Sequence, residues 1–166
     1  SESNDQFKSY VREVQIDTDL EIYLPDNYIN IVKERLALYQ ELSQLKAPKE
    51  LEEFEAQLTD RFGSLPREAK ELMESVRLKW VATELGMERL ILKKGSCLCY
   101  FLSDQQSDFF QGKRFQYLLT QIQKNAARMV LKEKNTPAGP KLLLSIREIH
   151  EIQQLTQLLK QLVVPH

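Results

Sequence analysis

Cys97 and Cys99 stand two residues apart, a spacing that sets both thiols on one face of a strand, and thiolates are good zinc ligands. A structural zinc site takes four ligands, usually as two spaced pairs, and this chain of 166 residues has only these 2 cysteines. Two small apolar side chains on the buried face of a strand are therefore expected. His150 stands near a helix start and His166 at the terminus, with no serine or cysteine spaced to suggest a nucleophile and base. Neither Gly-x-x-x-x-Gly-Lys-Ser/Thr nor Gly-x-Gly-x-x-Gly occurs, so no backbone cradle for a nucleotide is expected. Lys113 and Arg114 lie beside Phe109, Phe110, Phe115 and Tyr117, a mixture that can grip phosphates while stacking bases. The helical recurrence of Phe115, Leu118, Leu119 and Ile122 favours ordinary packing there. These residues supply no catalytic, metal or cofactor set and point to a non-catalytic interaction domain. A free-standing nucleic-acid-binding module using the basic region 77–134 is the alternative.

The formal charge of −1 excludes a surface that is uniformly a polyanion-binding field, but it averages over an asymmetry. Residues 1–76 hold 9 Lys/Arg against 17 Asp/Glu, whereas residues 77–134 hold 11 against 5. An acidic front and a basic middle suggest two surfaces with different partners. Two cysteines are too few for a secreted disulfide framework, no apolar run approaches the roughly 20 residues of a membrane span, and the polar start is unlike a signal peptide. A cytoplasmic setting without membrane contact is expected.

The elements that must position any site follow from periodicity. Alternation over Val14–Leu24 predicts a half-buried strand, and Asp26 or Asn27 a cap for a helix running to about Lys46. Ile31, Leu38, Leu42 and Leu45 form one stripe of that helix, and Ile29, Val32, Leu36 and Tyr39 a second. Pro48 opens a second helix whose apolar side is Leu51, Phe54, Leu58 and Phe62, with Gly63 as its stop. A third helix follows Leu65-Pro66, with Ala69, Leu72, Val76 and Trp80 buried, and ends at Gly86. A hairpin of Arg89–Lys93 and Cys97–Leu102, a helix at about Lys113–Asn125, strands at Arg128–Lys134 and Lys141–Ile146, and a helix from about Ile149 complete the chain. The expected fold class is α+β: three consecutive helices, a small mostly antiparallel sheet and a C-terminal helix in a single compact domain over 14–166, with 1–13 as a linker or tail.

The order Ile16-Asp-Thr-Asp-Leu-Glu-Ile-Tyr-Leu-Pro-Asp-Asn-Tyr-Ile29, then Arg35-Leu-x-Leu-Tyr39, Leu58-Thr-Asp-Arg-Phe-Gly-Ser-Leu-Pro66 and Arg77-Leu-Lys-x-x-Ala82-x-x-Leu-Gly86, resembles the C-terminal domain of bacterial transcription-repair coupling factors. The resemblance covers most of residues 14–92 and is looser beyond. It implies a regulatory piece of a larger ATP-driven DNA translocase, with ATP and Mg in the motor domains and no cofactor in this one. In that family the domain packs on a UvrB-like module of the same chain and masks its UvrA-binding surface until stalled RNA polymerase is engaged; the whole protein also acts on double-stranded DNA. Members carry Glu-Leu-x-Asp-Arg-Phe-Gly on the second helix, its acidic side toward basic residues of the UvrB-like module. Here the resemblance assigns that interface to Gln57, Asp60 and Arg61, with Phe62 and Gly63 as core contact and helix stop. Gln57 replaces the family's Glu, so a charge-assisted bond becomes a neutral one at that position.

Overall fold

The computed structural model describes residues 8–165; residues 1–7 of the expected tail, and His166, lie outside the described residues. The protein is α+β, and its described residues divide into two compact units, 21–77 and 8–20 with 78–165. The boundary falls inside a helix, between Arg77 and Leu78.

The first unit is helical. Helix α1 is Val32–Ser43, α2 is Pro48–Phe62, and α3 is Arg67–Glu84, whose first eleven residues belong here. Helix α2 forms as its sequence dictates: Pro48 at the first turn spends no hydrogen bond, Leu51, Phe54 and Leu58 are buried, and Gly63 ends it at φ 92°. The expected start of α1 is displaced. Pro25 O accepts the amides of both Tyr28 and Ile29 at 3.0 Å, so the segment of Asp26 and Asn27 is a tight turn, and the helix begins at Val32 without a side-chain cap. Its Leu38 and Leu42 are buried, but Ile31 of the same stripe is 54% exposed; of the second expected stripe Ile29 is buried and Tyr39 half-buried, while Val32 and Leu36 are 58% and 64% exposed, so each stripe is covered only in part. In α3 the period holds and the phase is turned: Ala69, Met73, Leu78 and Ala82 are buried, as is Leu85 just past its end, while Leu72, Val76 and Trp80 are half-buried. Arg77 joins α2 to α3 by pairing with Glu55, and holds Glu74 at 2.8 Å.

The second unit is built on a sheet of β1 (Gln15–Thr18), β2 (Met87–Lys93), β3 (Ser96–Phe101), β4 (Met129–Thr136) and β5 (Gly139–Arg147), in the order β1-β2-β3-β5-β4. Strand β1 pairs parallel with β2, and every other pairing is antiparallel. The first strand is shorter than Val14–Leu24 because Thr18 Oγ1 accepts the amide of Leu20 at 3.0 Å and turns the chain. A 3-10 turn at Asp108–Gln111 precedes α4 (Lys113–Lys124), and α5 (Ile152–Lys160) follows the last strand. Burial alternates along the strands: Leu90, Leu92, Cys97, Cys99, Phe101, Leu144, Ile146 and Met129 fill the core. Residues 8–14 form neither helix nor strand, yet Val11 and Val14 are buried and the Tyr10 ring meets Phe109 edge-on at 5.6 Å.

Candidate interaction surface

Burying Leu51, Phe54 and Leu58 turns the opposite side of α2 to solvent, and at steps of four and three that side carries Glu53, Gln57 and Asp60, all exposed. Asp60 has no hydrogen-bond or ion-pair partner among the described residues. Arg61, one residue on, leans the other way: its guanidinium lies over the Phe62 ring at 4.7 Å and donates to Glu34 Oε1 of α1 at 3.2 Å. Both ends of that ion pair are more than a third exposed, so it contributes at most about 1 kcal/mol; its effect is to draw Arg61 away from Asp60. The three expected residues thus lie together at the C-terminal end of α2, an acidic side chain and a neutral amide on one row with a cation beside them.

Phe62 and Gly63 hold this end in place. Phe62 packs against Tyr28 at 5.9 Å, and the Tyr28 hydroxyl donates to Gly63 O at 2.7 Å with Leu58 O at 3.2 Å. One phenol thereby ties the carbonyl just past the helix end to one inside its last turns. Its burial pushes the Tyr28 phenol above its ordinary value. Phe62 itself is half-buried rather than a deep core residue. Neither Tyr28 nor Glu34 was legible as part of this surface, because both join α2 from 27 or more residues away. The order Pro25-Asp-Asn-Tyr28 contained the only signal, a turn with an aromatic hydroxyl.

The other candidates separate. Cys97 and Cys99 are buried with their sulfurs 3.7 Å apart, and the neighbouring thiol, then burial, holds Cys99 well above the usual thiol range. Cys99 therefore carries little thiolate, and both buried side chains pack as small apolar groups. Among the described residues no three His, Cys, Asp or Glu side chains are gathered as metal ligands. His150 is exposed, its backbone amide donating to Gln154 Oε1 at 2.8 Å. Most of the aromatic and basic cluster expected around Lys113 and Arg114 is closed on itself, with Tyr117 half-buried outside its ring contacts. Phe101, Phe109, Phe110 and Phe115 pack ring to ring at 5.1–5.8 Å, and Arg114 lies over Tyr10 and Phe109 while donating to Lys8 O. Those rings are spent on packing and offer no stacking platform. No helix among the described residues is long and apolar enough to cross a membrane.

The family model for the TRCF domain matches residues 18–111, more than half of the chain. A transcription-repair-coupling factor of Escherichia coli (strain K12) is 35% identical over 79 residues, 48% of this chain and 7% of that protein. One of Rickettsia bellii is 36% identical over 75 residues, again 7% of its length, and one of Staphylococcus haemolyticus is 29% identical over 121 residues, 73% of this chain and 10% of that protein. The chain spans about a tenth or less of these relatives. The crystal structure of a C-terminal domain of transcription-repair coupling factor superposes with a TM-score of 0.65 over 90% of this chain and 92% of that one, at 20% identity, a likeness of fold. The chain belongs to the TRCF domain family.

Proposed function

We propose that this domain is a non-catalytic brake, which docks through the C-terminal end of α2 on a UvrB-like module of a longer chain and masks the surface that UvrA would use. The observation that carries the reading is Asp60: an exposed carboxylate without a partner, on a row with Gln57 and Glu53, held in place by the Tyr28, Phe62 and Gly63 anchor. Such a row suits a basic partner surface. Within one longer chain a modest polar contact suffices, because tethering raises the effective concentration to the millimolar range or thereabouts. A small polar contact also releases readily, as a brake lifted by engagement of stalled RNA polymerase requires. ATP hydrolysis and movement on double-stranded DNA belong, on this reading, to the remainder of the longer protein, and this domain takes no cofactor and works in the cytoplasm.

The test compares UvrA binding by the longer protein with and without this domain. Removal should raise the affinity, and Asp60→Arg should reproduce a rise of about fivefold or more, the low end of ordinary coupling between sites. Unchanged affinity on removal overturns the masking, whereas a rise on removal with no effect of a well-folded Asp60→Arg overturns only the assignment to this end of α2.

A further inference from the structure

The face of the sheet opposite the core places a second set of residues together. Strand register puts Gln15, Arg89 and Tyr100 in one row across β1, β2 and β3; Leu143 of β5 and Lys132 of β4 continue it, Leu143 being buried, so the row is open at the Gln15, Arg89 and Tyr100 end. One step toward the β4–β5 turn, Lys134 stands directly opposite Lys141. Like charges directly opposite on a sheet are destabilising, and neither lysine has a carboxylate partner among the described residues. Together with Arg12, a third cation without a partner there, they line a groove of about 620 Å³ that also takes in Arg89 and Tyr100.

Four cations thus face two carboxylates, Glu13 and Glu88, and Glu88 is engaged by the Ser103 hydroxyl at 2.7 Å. Arg89 is fixed by two bonds from its guanidinium to Asp17 Oδ2, at 2.7 and 3.0 Å. Tyr100 is half-buried, and its ring has no aromatic or hydrogen-bond partner among the described residues. An uncompensated lysine pair calls for an anion, and an open ring on a pleated face between cations calls for a planar group.

We propose that this groove binds single-stranded nucleic acid, with Arg12, Lys134 and Lys141 on the phosphates and Tyr100 as a platform for one base. An acidic peptide would answer the charge but leave Tyr100 without a role. Reading base edges through the major groove of a duplex takes a helix or ribbon that enters it, and this groove is lined by side chains of the sheet and the segment before β1; binding to duplex phosphates alone would leave Tyr100 without a role. The site differs from the cluster expected at Lys113 and Arg114: it draws Arg12 and Lys141 from outside region 77–134, and it is independent of the surface on α2.

The test is anisotropy of a fluorescent oligothymidylate of about 12 nucleotides with the 166-residue chain at low salt. Saturable binding should weaken with salt at a log–log slope of about −2 to −3, as three or four phosphates release their counterions. Tyr100→Leu, which keeps an apolar contact beside Leu143, should weaken binding about fivefold or more with the slope unchanged. Lys134→Glu should weaken it and flatten the slope, while thermal stability holds or rises because a like-charge pair becomes an opposite one. Absence of saturable binding overturns the proposal. So does equal affinity for a duplex of the same length, or for polyglutamate, with Tyr100→Leu indistinguishable from the parent; that result would assign the groove to double-stranded DNA or to an acidic protein.

Discussion

Tyr28 shows how one side chain can settle whether a surface is presented. Its hydroxyl bonds to Gly63 O at 2.7 Å, and Tyr28→Phe removes that bond while keeping the ring against Phe62. The expected cost at neutral pH is about 1 kcal/mol, read by urea denaturation. The pH dependence has a definite sign. Burial raises the phenol above 10.0 in the folded state, so the fold holds the proton that the unfolded chain gives up first. This contribution is fully present below about pH 10 and is lost as pH climbs through the folded value; the penalty of Tyr28→Phe should therefore shrink on going from pH 9 to about pH 11. A penalty that stays constant would show that the hydroxyl is not held as described. Asp60 and Arg61 were legible from the order of residues around them; Tyr28 and Glu34 were not, because their bonds to α2 join separations of 35 and 27 residues.

Elements whose boundaries rest on local chemistry were legible in the sequence, and those fixed by distant partners were not. Helix α2 has its proline, its apolar spacing and its glycine in order, and forms over Pro48–Phe62 as expected. Helix α1 starts late because Pro25 O takes the amides of Tyr28 and Ile29 in a tight turn, and Tyr39 Oη, reaching back from within the helix over 15 residues, accepts the Leu24 amide at 2.6 Å. The phase of α3 was misread because Leu72, Val76 and Trp80 give it a second apolar side, and period alone does not choose between two sides. The parallel pairing of β1 with β2 joins Asp17 to Ile91, a long-range contact that alternation does not encode. Gly86, between α3 and β2, has a local and a distant reason at once. Its φ is 69°, and a Cβ there would lie 2.5 Å from Cε1 of the fully buried Phe109. Gly86→Ala should therefore cost about 2–4 kcal/mol, from left-handed backbone and an overpacked ring together, with the denaturation midpoint as the measurement. A loss below about 1 kcal/mol would mean that Phe109 gives way readily and that the packing around it is looser than its burial implies.

The charge asymmetry of the sequence follows the division of the chain. The unit of residues 21–77 holds 8 Lys/Arg against 12 Asp/Glu, and the remainder 15 against 12, so the acidic stripe of α2 and the basic groove of the sheet belong to different units. The average of −1 hid two surfaces suited to opposite partners. The two share no residue, which makes their independence measurable. Asp60→Arg should leave oligothymidylate binding unchanged, Lys134→Glu should leave UvrA masking unchanged, and the double variant should show the two single effects added as free energies to within about 0.5 kcal/mol. A larger deviation in either assay would reveal that occupying the groove alters the brake, and would join through reciprocal linkage what the two units otherwise do separately.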